Sequence, residues 1–469
     1  MIVSRVLARL CAALSALVVA FAAVLPAYAA APDAGPNIIR DAEIEGLMRL
    51  YTRPVFLAAG LNPHAVRVYL IEDSGINAFV AGGQRIFINT GTLMQAKTPN
   101  EIIGVLAHET GHIAGGHLAR LGIALDRASA TVIVGMLMGA AAMVGGAASG
   151  NANAAQAGSG IMIGSQSLAQ RSMLSYQRAM EASADQAALK FLTSTHQSAK
   201  GMLRLFNKLA SESIATVRNV DPYLLSHPMP FDRINNLEEA ARKSPYWDAA
   251  DSPKLVLRHA LMQAKLSGFL EPASAVFQKY PASDNSLPSR YARAIAMFRK
   301  GDTQNAVPII ESLTRDLPQD PYFWELLGQA LLEGGQPAKA VAPLRQAVRM
   351  LPNGLLQILL AQALIGTETR EANAEALKML RLAQRSEGDT PELFKLQGMA
   401  YGQTGDIARA ELATAEYAWA TGDKKLTLDK AKSAKEKLPQ NTPEWTRAND
   451  LLTFAGRDGH GPSSAYRAM

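Results

Sequence analysis

With 469 residues, 48% of them hydrophobic and 19% charged, the chain has the composition of an ordinary globular protein with room for two or more domains. Its formal charge of +6 is modest for this length, and no basic cluster carries interleaved aromatics, which argues against a nucleic-acid-binding class.

Residues 1–29 read as an export signal. Arg5 and Arg9 supply a positive start, Leu10 to Phe21 an apolar centre, and Ala27-Tyr28-Ala29 a small-x-small site, so cleavage is expected after Ala29. An uncleaved anchor is the alternative, because the apolar run is long. The single cysteine, Cys11, lies inside the signal, so a mature chain from Ala30 has neither a disulfide nor a thiol nucleophile. Residues 38–60 read as helix on the apolar positions Ile39, Ile44, Leu47 and Met48. The period then changes to alternation. Val66 to Ile71, Asn77 to Ala81 and Arg85 to Asn89 are predicted strands, with turns at Asp73-Ser74-Gly75 and Gly82-Gly83, together a small antiparallel sheet.

A strongly announced helix follows. Thr98, Pro99 and Glu101 form a predicted capping box, and Ile102, Leu106 and Ile113 an apolar stripe. At its centre stands His108-Glu109-Thr110-Gly111-His112. Histidines four apart share a helix face, so His108 and His112 can present two imidazoles to one metal ion, while Glu109 sits about 100° round the helix. His117 is nine residues after His108, half a turn out of phase, and is expected to point away as an ordinary satisfied histidine. A metzincin would need histidine at Leu118, which excludes that class and leaves a carboxylate as the natural third ligand.

Ala107-His108-Glu109-x-Gly111-His112 with His117 beyond it resembles the zinc metallopeptidases related to HtpX and the CAAX prenyl proteases. Later elements continue the resemblance: Glu181-Ala-Ser-Ala-Asp185, and Ser226-His227-Pro228 followed by Arg233. The resemblance covers roughly residues 40–240 and implies a zincin (gluzincin) peptidase domain. It implies one Zn²⁺ per chain on His108, His112 and Glu181, Glu109 as general base, and Asp185 orienting a ligand histidine. It also implies that an edge strand near Asn77, Ala78, Phe79, Val80 and Ala81 takes substrate as an added strand. His227 has two candidate roles beside Arg233: donating to the oxyanion, or occupying the fourth zinc position as a plug until a client moves it. The plug is favoured, since an exported protease among unfolded clients benefits from resting silent.

Between these motifs, Ala128 to Gln170 holds no charged side chain. Its Thr131–Ala148 half is apolar and long enough to consider as a span, yet rich in Gly and Ala, and the second half is polar. It reads as a lid or hairpin over the cleft with peripheral membrane contact through 131–148, a true span being the alternative.

From about Ser252 the sequence turns to short periodic helices. Trp324, Leu327, Gly328, Leu331, Ala340, Leu344, Ala347 and Pro352 fall on the tetratricopeptide positions, with a copy one repeat earlier at Ala294, Phe298, Ala306, Ile310 and Pro318. The expected layout is therefore mainly α: signal 1–29, zinc peptidase domain 30–250, tetratricopeptide α-solenoid 251–455, and a disordered tail 456–469. This order resembles exported envelope peptidases of Gram-negative bacteria. It implies a periplasmic zinc endopeptidase in protein quality control, with repeats that bind unfolded envelope clients, outer-membrane β-barrel proteins above all, or their assembly machinery. Two other readings stay open: a chaperone or scaffold with a structural zinc site, and a membrane-embedded zinc protease.

Overall fold

The computed structural model describes residues 37–148, 152–215, 227, 231–388 and 390–456. The expected export signal, its cleavage site, the residues flanking His227 in the His-Pro element and the tail from 457 lie outside the described residues.

The chain enters as a two-residue strand, β1 (Ile38–Ile39), where helix was expected, and α1 (Ala42–Ala58) begins once the Asp41 carboxylate accepts from the Ile44 amide at 2.8 Å. Three strands follow, β2 (Arg67–Ile71), β3 (Ala78–Ala81) and β4 (Arg85–Asn89), in the order β1-β2-β4-β3. The sheet is mixed, which corrects the antiparallel expectation: β1 and β3 run antiparallel to their neighbours, but β2 pairs with β4 in parallel, Arg67 opposite Arg85. The reason lies in the turn after β2. Asp73 accepts the Gly75 amide on its carboxylate and the Gly91 amide on its carbonyl, tying this turn to the start of α2 (Thr90–Gln95) instead of closing a hairpin. β3 therefore crosses to the far side of β4, and there it is an edge strand.

Helix α3 (Pro99–Ala114) is the centre of the unit. Every residue from Pro99 to Gly111 is buried, so the expected single stripe gives way to burial on all sides, against α1, β3, α5 and α6. The expected capping box is also rearranged. Thr98 makes no cap bond, because its hydroxyl accepts from Arg204 at 2.9 Å, and Glu101 instead takes the Lys97 amide at 2.8 Å and Arg204 Nε at 3.0 Å.

Of the two expected forms, lid or hairpin, the described part of the uncharged segment takes the hairpin, making up most of a long antiparallel helix pair, α4 (His117–Ala148) and α5 (Ala152–Ser194), whose second arm continues into the core. At 1.5 Å per residue α4 is about 48 Å long. Ile133, Val134, Leu137 and Ile163 are exposed along the hairpin, and His117–Val144 is long and apolar enough, by length and composition, to cross a bilayer. α6 (Lys200–Ala215) and α7 (Phe231–Ala241) complete the unit.

From residue 253 the chain is entirely helical in its described part: α8 (Pro253–Leu270), α9 (Ala273–Lys279), α10 (Leu287–Arg299), α11 (Thr303–Asp316), α12 (Pro321–Glu333), α13 (Pro337–Met350), α14 (Gly354–Ile365), α15 (Arg370–Glu387), α16 (Pro391–Thr404), α17 (Ile407–Thr421), α18 (Lys424–Lys437) and α19 (Pro443–Gly456). Neighbouring helices pack in sequence, and Leu327, Ala340, Leu344 and Ala347, picked out by the repeat pattern, are buried between α12 and α13.

Packing does not break at 250/251. Met262 and Leu266 of α8 belong to the same apolar core as Leu106 and Phe206. His259 bridges Tyr51 Oη at 3.1 Å and the Ala96 carbonyl at 3.0 Å. Lys265, 5% exposed, lies 2.7 Å from Asp41 and 3.4 Å from Glu43, and Tyr291 of α10 donates to Glu43 at 2.7 Å. Breaking such a buried ion pair from one side costs about 3–5 kcal/mol, so α8 is as much a wall of the first unit as the first helix of the second.

Candidate metal centre

Three elements converge on one point. α3 carries His108, Glu109 and His112, α5 carries Glu181 and Asp185, and His227 and Arg233 come from the chain around the start of α7. Gly111 is what lets α5 come this close. A Cβ there would stand 2.7 Å from the carbonyl oxygen of Ala184, the residue before Asp185, so a larger side chain would push the carboxylates away from the histidines.

One ligand atom each from His108, His112, Glu181 and His227 lies within 4.8 Å of all the others. His112 Nε2 is 3.1 Å from His108 Nε2, His108 Nε2 is 3.3 Å from Glu181 Oε2, and His112 Nε2 is 3.4 Å from Glu181 Oε1. Tetrahedral ligands about 2.0–2.1 Å from a divalent ion stand about 3.3–3.4 Å apart, so the donor set and its spacing fit a four-coordinate metal. His227 Nδ1 lies 3.1 Å from both Glu181 oxygens and 3.4 Å from His108 Nε2, which puts it inside the set.

The surroundings hold these groups in place. Asp185 Oδ1 is 3.0 Å from His108 Nδ1, off the ideal hydrogen-bond direction. Arg233 grips Asp185 with two bonds, at 2.6 and 2.8 Å, and reaches Glu181 Oε2 at 2.9 Å. Burial opposes charge on Glu181, but hydrogen bonds to His108 and His227 overcome it and hold the carboxyl well below its usual range. Burial, reinforced by the charge of His108, pushes His112 down to about 2, so it offers a free lone pair. Burial likewise opposes charge on His108, but Asp185 and Glu181 outweigh it and raise the imidazole to about 9. That proton occupies the place of positive charge between two carboxylates, and metal binding would release it.

Glu109 differs from all of these. Its side chain is fully buried, and burial raises its carboxyl above the usual range. Among the described residues neither oxygen has a hydrogen-bond partner, and His227 Nε2 stands 3.6 Å from Oε1. An orphaned carboxyl here is costly to stability and calls for a use.

Of the expected substrate strand, Ala78 to Ala81 form β3, while Asn77 precedes it with its amide and carbonyl bonded to Thr92 Oγ1, both at 2.8 Å. The outer edge of β3 carries no strand among the described residues.

His117 is where periodicity misled. Instead of pointing away, its Nδ1 lies 3.1 Å from Nδ1 of His112. α3 stops at Gly115, Gly116 adopts a positive φ of 61°, and α4 restarts with a new phase. Gly115 also makes room, since a Cβ there would lie 2.3 Å from His117 Nε2. The Gly115-Gly116 pair is the signal that could have found this contact. With Nε2 of His112 turned to the metal cluster, its Nδ1–H donates and His117 accepts, which needs a neutral imidazole. Burial first, then Arg120, lowers the His117 pKa. Replacing such an outer partner costs 10–100-fold in metal affinity, so His117→Leu is expected to weaken metal binding about that much with helical content unchanged. Competition against a chromogenic chelator measures it, and equal affinity would reduce His117 to packing.

Residues 46–241 match the sequence profile of peptidase family M48. The chain is 27% identical over 269 residues to the putative beta-barrel assembly-enhancing protease of Vibrio cholerae, covering 55% of this chain and 52% of that one. It is 25% identical over 327 residues to the beta-barrel assembly-enhancing protease of Yersinia pestis, covering 68% and 65%. Over 93 residues it is 36% identical to a protease HtpX homolog of Syntrophobacter fumaroxidans, covering 19% and 33%. The chain thus spans about half to two thirds of the length of the beta-barrel assembly-enhancing relatives.

Proposed function

We propose that this chain, a member of the M48 metallopeptidase family over residues 46–241, is an exported zinc-dependent endopeptidase that removes misfolded or stalled outer-membrane proteins from the cell envelope. The observation that carries the reading is the buried Glu109 carboxyl, without a hydrogen bond among the described residues, beside four convergent ligand atoms. His108, His112 and Glu181 would hold Zn²⁺, with His227 in the fourth position of the resting enzyme. When bound, the metal supplies Lewis-acid polarisation of the scissile carbonyl and lowers the pKa of water to about 7.

The chain's own groups do the rest. Glu109 takes the proton of the attacking water and later delivers it to the leaving amine, a two-way role that a raised carboxyl suits. Asp185 fixes the ring of His108, and Arg233 fixes Asp185 and Glu181 together, so the ligands do not reorganise during turnover. The extended substrate backbone would add to the free edge of β3. The helix pairs would bind clients or the β-barrel assembly machinery in the periplasm, as the names of the relatives suggest.

One observation favours the scaffold reading. A set closed by four protein ligands is the mark of structural zinc, whereas catalytic sites keep a position for water. Glu109 argues against it, since a structural site has no use for an unbonded buried carboxyl. Chelation should remove one zinc per chain and abolish cleavage of an unfolded β-barrel protein, and stoichiometric Zn²⁺ should restore it. Cleavage that persists without metal would sink the reading. The exposed apolar hairpin also supports peripheral membrane contact, read by co-flotation of the full chain with liposomes.

A further inference from the structure

A cleft of about 440 Å³ lies where the first unit meets the helix pairs, between α1, β2, the C-terminal end of α15 and the start of α16. It is distinct from the metal centre and shares no residue with it. Five arginines line it, Arg40, Arg49, Arg53, Arg67 and Arg385, against two glutamates, Glu45 and Glu387. Those two carboxylates are already engaged: Arg40 bonds to both at 2.7 Å, and Arg49 is 3.8 Å from Glu45. Arg53, Arg67 and Arg385 have no ion pair among the described residues.

Guanidinium groups gathered in a concavity repel one another and focus a positive field, so an anion drawn into it is stabilised. The floor beneath them is apolar, with Met48, Phe56 and Val66 buried. At the rim, Thr390 starts α16 with no side-chain cap bond, leaving its hydroxyl beside a helix N-terminus. A single carboxylate would leave most of this charge unbalanced. A phosphoryl group carries up to two charges and takes guanidinium forks two bonds at a time.

We propose that this cleft binds a phosphate-bearing ligand whose organic part lies on the Met48–Phe56–Val66 floor and whose phosphoryl group is held by Arg53, Arg67 and Arg385. Such a ligand bridges the two units beside the Arg40–Glu387 contact, so its occupancy stiffens the junction through which the helix pairs meet the peptidase. The phosphoryl group can come from a lipid headgroup or from a small soluble phosphate.

The full-length protein tests this by calorimetric titration with dihexanoyl phosphatidic acid below its micellar concentration, and separately with inorganic pyrophosphate and hexaglutamate. Saturable binding of the lipid probe, weakened at least tenfold in Arg53→Gln/Arg67→Gln/Arg385→Gln and by raised salt, is expected, with casein cleavage unchanged in the variant. Pyrophosphate bound as tightly as the lipid probe would place all the affinity on the phosphoryl group and overturn the apolar-floor half of the proposal, leaving a small soluble phosphate as the ligand. Binding of neither phosphate, binding indifferent to the triple substitution, or hexaglutamate bound tenfold more tightly than both overturns the proposal.

Discussion

Glu109→Gln is expected to lower the rate of peptide hydrolysis by about 10²–10⁴-fold while leaving one zinc bound per chain, the span that general acid–base catalysis contributes. The amide is nearly the same shape as the carboxyl but can neither take a proton from water nor return one. Metal content should not move, because Glu109 is not among the residues whose atoms could hold a metal ion, His108, His112, Glu181 and His227. Nor should the fold weaken. Among the described residues neither Glu109 oxygen has a hydrogen bond, so the isosteric amide loses none and puts no ionisable group in the buried place, and the melting temperature is expected to be no lower. The measurements are metal analysis, thermal unfolding and cleavage of an unfolded outer-membrane protein. Full activity would remove Glu109 from the chemistry. Rescue of an envelope defect by the inactive variant would instead favour the scaffold reading. The same variant should hold its clients uncut, and co-purified β-barrel proteins with their assembly machinery would identify them.

His227→Ala should raise basal proteolysis about tenfold and leave the client-stimulated rate nearly unchanged. In the present arrangement His227 Nδ1 is 3.1 Å from both Glu181 oxygens, and the imidazole closes the set of ligands. If the competent state is about a tenth of the population, removing the closing group raises the apparent rate by the inverse of that fraction. The competing role predicts the opposite sign. A histidine that donates to the developing oxyanion is worth about 10²–10³ in kcat, and its loss would lower the rate accordingly. Unchanged basal and stimulated rates would exclude both roles. The alanine also leaves Arg233 in place on Glu181 and Asp185, so zinc affinity should fall only by the loss of one ligand.

Much of this protein could be read from local pattern. Histidines four apart on a helix share a face because of 3.6 residues per turn, and a 34-residue period marks one repeated helix–turn–helix unit. Helical spacing picked out His108 and His112, the family resemblance added Glu181 and Asp185, and the structure brings the four together. The positions of β2, β3 and β4 were legible too, to within a residue, because alternation marks half-buried strands, whereas β1 was not.

What local pattern could not supply was anything decided by distant partners. The parallel pairing of β2 with β4 depends on Asp73 bonding to Thr90 at the start of α2, seventeen residues away. The capping residues of α3 were rearranged by Arg204, a hundred residues further on. α8 belongs to both units because Met262, Leu266 and Lys265 find their partners in the first one. His117 shows the principle most directly. Helical phase predicts direction only while the helix lasts, and the break at Gly115-Gly116 resets it, so that a residue placed by counting on the far face returns to touch His112. The sequence by itself determined the histidine pair and the helical and strand periods, since those are written in short-range spacing. Only the tertiary structure decided what surrounds them, because hydrogen bonds and burial are made by whichever side chain packing brings within reach.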